Sequence, residues 1–480
     1  MNKILINEPR LYLHLKDRRS NEIIHYANDK GTFFKRIDCF YQFVISLKNV
    51  VMFVAYDWYY YIMATANKYD YIINYSVNGR NLGMFALEEY NKYYSNYTLE
   101  MPVVNRVLHY FYLRRYLSKA VACYKCHDRI FRSYDYDYLI TGHDCYFHGA
   151  AIEAALNHGV YVYILQKYFY NPVYGKEDCQ AYFNKNILSR MHVALQDKVD
   201  ELKNNVSAHE AGKNWIQEVT RDKFSLPHLS RVDMMEDVGI HADSLEMNLD
   251  RSEGKKNIIL YLHGVSDQYC KWGFDGFRSY LEYFTSLLDS METKFGEFKL
   301  FIKPHPSIYN RNIEFRKKNA DLECFDKIYL HAESMGLNIV VLERDVQLSH
   351  MAQVMVDPLV VTRWGTVGLE AKCLGLECVC SSIAPYATFC DYIFDCEEGV
   401  ASNNKCTSER HFYIFCCVIG LAQLNLTRRV HFTSLDSWGH FLHQSGLEKK
   451  DGFSVDNFLK ELCLVSDEPE VVSLIGKLII

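Results

Sequence analysis

The chain has 480 residues, 49% of them hydrophobic and 23% charged, enough to bury a large core and more natural for two domains than one, so a disordered or fibrous protein is excluded. A net charge of −6 argues against a dedicated nucleic-acid binder, which concentrates a basic excess on one face. The 16 cysteines are spread along the chain and several sit in apolar runs, so reduced, mostly buried thiols in a cytoplasm are expected rather than a disulfide scaffold.

The opening stretch MNKILINEPRLYLHLKDRR has too short an apolar segment and too many charges to read as an export signal. No uninterrupted apolar run approaches the roughly 18 residues of a membrane span. Residues 33–69 mix apolar and polar side chains without interior proline, predicting one or two scaffold helices. In YDYIINYSVNGRNLGMFALEEYNKYY an apolar run reaches Asn78-Gly79 and then takes a helical period, predicting strand, tight turn and helix.

From Arg106 to Arg132 basic residues alternate with aromatics at partly helical spacing. Such a helix either turns a basic face to solvent or rests on anionic lipid. Within it, Cys123-Tyr124-Lys125-Cys126-His127 matches a haem-attachment pattern, read as coincidence in the absence of export. No second Cys-x-x-Cys supplies a zinc site, and none is predicted. Asp135-Tyr136-Asp137 is read as solvated or capping.

The clearest α/β unit of the first half is DYLITGHDCYFHGAAIEAALNHGVYVYIL, with strands at Tyr138–Thr141 and Val160–Leu165 around a helix at Gly149–Leu156. Its strand-end loop carries His143, Asp144 and His148. Asp144 is the first candidate for a catalytic carboxylate, with a helix cap as the alternative, and either histidine can hold a hydroxyl or adjust its pKa.

Between about Val232 and Lys256 the sequence turns polar and acidic, which places a domain boundary there. Domains are predicted at 1–245 and 257–436, followed by C-terminal helices over 437–480 that pack across the domain interface. The second half reads as repeated βα units: strands at Asn257–Leu262, Phe298–Ile302, Leu337–Leu342, Val354–Thr362 and Glu377–Ser381, and a helix at Gly276–Met291. That pattern predicts a mostly parallel, doubly wound α/β sheet.

Three of its strand ends carry phosphate-friendly residues. YLHGVSD offers His263, Gly264 and Asp267, where glycine permits close backbone approach and Asp267 or Asp275 alternatively caps the next helix. In FIKPHPS two prolines stiffen the loop that holds Lys303, His305 and Pro306. In VVTRWGTVGLEA, Arg363, Gly365 and Thr366 lead into a helix, with Glu370 one turn on, either facing a ribose or complementing the helix dipole.

The ordered set HGVSD, KPHP, TRWGTVGLEA and SSIAPYA resembles the C-terminal half of bacterial capsule and lipopolysaccharide biosynthesis proteins, the group of capsule Kdo transferases and related GT-B glycosyltransferases. The resemblance spans residues 257–391 and, in the first half, only GHDCYFHG and the Asn78-Gly79 turn. It implies two doubly wound domains facing a central cleft, with the nucleotide on the second and the acceptor on the first. His305 and Thr366 then bind the nucleotide phosphate and Glu370 lies near the ribose.

The implied function is transfer of a sugar, such as a Kdo-like or other nonulosonic acid from a CMP donor, to a glycan or lipid-linked glycan acceptor, without metal and with the nucleotide sugar as co-substrate in place of a cofactor. The expected location is the cytoplasm, with peripheral contact at the inner membrane. A CDP-glycerol type polyol-phosphate transferase, a nucleotide-sugar epimerase or hydrolase, and a non-catalytic glycan-assembly protein remain as alternatives.

Overall fold

The computed structural model describes residues 3–6, 23–26, 75–94, 106–141, 146–164, 196, 198–221, 255–264, 277, 279–305, 320–343, 346–394, 406, 408–422 and scattered positions from 441 to 457. The helices expected over 33–69, the polar boundary at 232–254 and most of 437–480 lie outside them.

The first sheet has four parallel strands in the order β2-β1-β5-β6: β1 (Lys3–Ile6), β2 (Ile23–Tyr26), β5 (Tyr138–Thr141) and β6 (Tyr161–Ile164). The opening apolar residues are thus a strand. Leu5, Leu139 and Val162 on one face pack beneath α1 (Gly83–Tyr94), α2 (Arg106–Ser133) and α3 (Tyr146–Asn157), whereas Tyr138 and Ile140 turn to the opposite face. Asn78-Gly79 does not join a strand to a helix. It closes a two-residue hairpin between β3 (Ser76–Val77) and β4 (Arg80–Asn81), with φ of 53° and 74° as a tight turn of that kind requires.

On α2 the aromatic residues Tyr116, Tyr124 and Phe131 are buried against α1 and α3, while Arg115, Lys125, Arg129 and Arg132 face solvent. From Leu113 onward its apolar residues are therefore committed to the core. No helix among the described residues is long and apolar enough to cross a membrane.

The second sheet has five parallel strands in the order β11-β10-β7-β8-β9: β7 (Lys256–Tyr261), β8 (Phe298–Lys303), β9 (Asn338–Val341), β10 (Leu359–Val361) and β11 (Glu377–Val379). Its central strands are buried almost end to end, as expected where helices cover both faces. Ile258, Leu260, Leu300, Ile302 and Val361 pack on α5 (Tyr280–Phe295) and α6 (Ala320–Ser334). Ile259, Phe301, Val340 and Val360 share the other cluster with α7 (Leu348–Val354), α8 (Val367–Cys373), α9 (Glu409–Ala422) and α4 (Val206–Arg221). Each such fully buried side chain contributes about 1.5–3 kcal/mol relative to exposure.

Two local features position this sheet. Ser279 caps α5, its Oγ accepting the Glu282 N–H at 2.9 Å, so the S-x-x-E pattern and not Asp267 or Asp275 starts the helix. Helix α4, from before the polar boundary, lies along α9 and touches α7 and α8. At Gly212 the two backbones nearly touch: a Cβ there would stand 1.8 Å from the Tyr413 carbonyl oxygen.

Candidate functional site

In chain order the second sheet's strands run outward from β7 through β8 to β9, then resume on its other side with β10 and β11. The order reverses between β7 and β10, and open α/β sheets bind ligands in the crevice outside the carboxyl ends of the strands at such a reversal. The segments leaving these two strands carry His263 and residues 362–366.

They meet directly. His263 Nε2 lies 2.8 Å from Thr362 Oγ1 and accepts the Gly365 N–H at 3.1 Å and, more weakly, the Trp364 N–H at 3.4 Å. A nitrogen that accepts backbone N–H groups carries no proton, so the ring is the neutral tautomer with its proton on Nδ1, an assignment made from its partners. Glycine at 365 permits this approach: a Cβ there would stand 2.2 Å from His263 Cε1, so the ring would have to move. Trp364 stacks on the same ring, with centroids 6.3 Å apart and planes at 26°.

The loop is braced from below by the SSIAPYA segment. The Tyr386 hydroxyl donates to the Gly365 carbonyl, and its ring lies against Gly368, where a Cβ would approach to 2.3 Å. Burial pushes the Tyr386 phenol well above the ordinary tyrosine range, which keeps it a donor. The Ser381 N–H bonds the Arg363 carbonyl at 2.9 Å.

From β8, His305 packs over Gly264, whose Cβ position lies 3.3 Å from His305 Cε1. His263 and His305 line one shallow recess with Asp321, Leu262, Phe284 and Phe325, with room for about one water molecule.

The other expected residues fall differently. Lys303 donates to the Glu343 carbonyl at the end of β9, leaning away from the β7–β10 reversal. Arg363, expected at the donor phosphate, is 1% exposed, with its guanidinium over Trp364, Tyr280 and Tyr283. Thr366 is exposed at the start of α8. Glu370 is 2% exposed beside Tyr261, whose phenol is raised well above its usual range by burial and then by that carboxylate. Asp267 and Pro306 lie outside the described residues.

The first sheet also has a reversal, between β1 and β5. At the end of β5, Thr141 Oγ1 lies 3.1 Å from Nδ1 of His148 in the first turn of α3, which fixes both ends of the loop between them. That loop, with His143 and Asp144, lies outside the described residues.

Trp364, Thr362, Tyr280 and Tyr386 are the members of the constellation that residue types alone did not single out; the SSIAPYA motif was the one signal pointing to Tyr386. In the Cys123–His127 stretch, His127 bonds the Cys123 carbonyl at 2.9 Å and burial pulls its pKa below the usual histidine value, as for a core residue. Asp135 and Asp137 are exposed.

No family model matches the chain, and neither does any curated protein. Among solved structures it is similar to the Thermosulfurimonas dismutans KpsC β-Kdo 2,7-transferase, at 13% identity and a TM-score of 0.27 over 61% of this chain and 80% of that one. It is also similar to a UDP-GlcNAc 2-epimerase from Neisseria meningitidis bound to UDP-GlcNAc, at 10% identity and a TM-score of 0.20 over 100% and 99%. Scores this low transfer no residue roles, and the mixed α/β, doubly wound architecture rests on the strand orders themselves.

Proposed function

We propose that this chain is a GT-B-like glycosyltransferase of bacterial surface-polysaccharide synthesis that holds a nucleotide sugar at the β7–β10 reversal. The observation that carries the reading is the meeting of His263, Gly365 and Thr362 at the switch point of a sheet with Rossmann strand order.

In this reading the donor phosphate sits outside the strand ends, against the segments that carry His263 and His305, while exposed Thr366 supplies a hydroxyl. Neutral donors held rigidly in place stabilise charge that develops as the leaving group departs. The bond between the anomeric carbon and the phosphate oxygen breaks, and the nucleotide leaves with its electron pair. A new bond forms from the anomeric carbon to the acceptor hydroxyl oxygen. Asp144 either takes the proton of that hydroxyl, or attacks the anomeric carbon as the phosphate leaves and is itself displaced as a carboxylate when the acceptor oxygen attacks, the departing nucleotide phosphate taking the acceptor proton. The donor of choice is a CMP-linked Kdo-like or nonulosonic acid, and the acceptor a glycan or lipid-linked glycan met at the cytoplasmic side of the inner membrane.

The test is a thermal-shift screen with CMP, CDP, UMP, UDP, GDP and their sugar conjugates, repeated on His263→Ala and His305→Ala. A ligand that binds only the folded chain raises its melting temperature. Stabilisation by CMP that both variants lose supports the reading. Stabilisation by UDP or GDP instead removes the CMP donor, turnover of a donor without acceptor points to an epimerase or hydrolase, and no response to any nucleotide sinks the assignment.

A further inference from the structure

The side chain of Arg363 has a place that the site's chemistry does not require. Val361 faces α5, and Arg363, two residues on and just past the end of β10, reaches the same helix–sheet interface, over Tyr280 and Tyr283 of α5. There its Cζ lies 4.3 Å from the Trp364 ring centroid, 4.7 Å from Tyr280 and 5.0 Å from Tyr283. The three rings enclose the cation, which is 1% exposed.

The cage continues into the site. Trp364 meets Tyr280 edge-on at 5.2 Å and stacks on His263 at 6.3 Å, and His263 lies 6.2 Å from Tyr280. The same short stretch of backbone is fixed at both ends, by Ser381 N–H on the Arg363 carbonyl and by the Trp364 and Gly365 N–H groups on His263 Nε2. A shift of Arg363 therefore moves both the ring that packs on His263 and the donors that fix its tautomer.

We propose that Arg363 is a positioning residue: its caged guanidinium holds Trp364 against His263 and sets the geometry of the strand-end site without touching the ligand. Only the ligand-binding consequence rests on the nucleotide reading above; the clamp itself does not. A planar guanidinium presents its faces to several rings at once, which a compact, strongly hydrated lysine ammonium does not, so lysine is not an equivalent.

The experiment uses the full chain and the variants Arg363→Met, Arg363→Lys and Trp364→Phe. The Trp364 emission is obtained as the difference from Trp364→Phe, and CMP and CDP are titrated at several salt concentrations. The clamp predicts that Arg363→Met shifts the Trp364 emission and that Arg363→Lys fails to restore it. It also predicts that CMP and CDP affinities fall by the same factor, about tenfold, with an unchanged salt slope.

A larger loss for CDP than for CMP, together with a shallower salt slope, shows a phosphate contact and overturns the proposal. Unaltered Trp364 emission overturns it as well. If Arg363→Met does not fold, Tyr283→Leu removes one wall of the cage, and unchanged Trp364 emission there is equally fatal. If wild type binds neither nucleotide, the proposed function fails while the emission shift still decides the clamp.

Discussion

Replacing Gly365 by alanine tests whether His263 is seated as described. The new Cβ stands 2.2 Å from His263 Cε1, 3.1 Å from Nδ1 and 3.2 Å from Nε2. The ring must retreat by more than an ångström to reach ordinary contact, but it is held by Thr362 Oγ1 at 2.8 Å, by the Gly365 N–H at 3.1 Å and by the Trp364 stack. Overpacking of this kind costs roughly 1–3 kcal/mol, and each hydrogen bond surrendered adds about 0.5–1.5 kcal/mol. At roughly 2–4 °C per kcal/mol for a domain of this size, losing one hydrogen bond along with the overpacking lowers the melting temperature by about 3–18 °C by scanning calorimetry. Removing the obstructing ring should reverse part of it, so His263→Ala in the Gly365→Ala background is expected to melt higher than Gly365→Ala alone. Gly264→Ala, whose Cβ only brushes His305 at 3.3 Å, is the mild control. A Gly365→Ala protein that melts within a degree of wild type, or a double variant less stable than the single, refutes the packing.

Gly212→Ala is expected to cost more than Gly365→Ala in the same calorimetric assay, because its Cβ meets backbone at 1.8 and 2.6 Å and no side chain can rotate away. Tyr386→Phe removes the hydroxyl that donates to the Gly365 carbonyl and should lower stability by about 1–3 kcal/mol in urea unfolding, while leaving the ring against Gly368 in place. Burial pushes the thiols of Cys324 and Cys417 up to about 12, and both are at most 2% exposed. Their stabilising contribution is complete below the unfolded thiol value near 8.5 and is lost as pH climbs from there towards 12, because the unfolded chain releases its protons first. The melting temperature should therefore fall between about pH 9 and 11, and a flat profile over that range contradicts the burial. At pH 8 neither thiol is expected to react with Ellman's reagent until urea is added.

Much of the second sheet was legible because its strands are short apolar runs ended by glycine, proline or polar residues, and each predicted strand there overlaps an observed one. The strand expected over Val354–Thr362 forms only at Leu359–Val361, and Val354 instead ends the Leu348–Val354 helix, which the sequence reading missed because its apolar residues run close to those of the strand. Lys3–Ile6 was read only for what it excluded, since four residues carry no period of their own; what makes them a strand is pairing with Ile23–Tyr26 and Tyr138–Ile140, far along the chain. In the site, His263, His305 and Gly365 could be named from residue type and strand-end position. Arg363 could not be placed, because a basic residue at a strand end looks like a phosphate ligand until the face it points to is known. The enclosing Tyr280 and Tyr283 come from a helix some 80 residues earlier, and that pairing is set by the register of β7 and β10.

The close fit of α4 on α9 bears on how the chain matures on the ribosome. Trp215, under which Gly420 fits with a Cβ position 2.9 Å from the indole, emerges roughly 200 residues before that glycine. At about 5–20 residues per second, the apolar face of α4 waits some 10–40 s for its partner. Throughout that interval α4 lacks the α9 surface that it packs on in the folded chain, and a slower stretch of translation before residue 409 would prolong the wait.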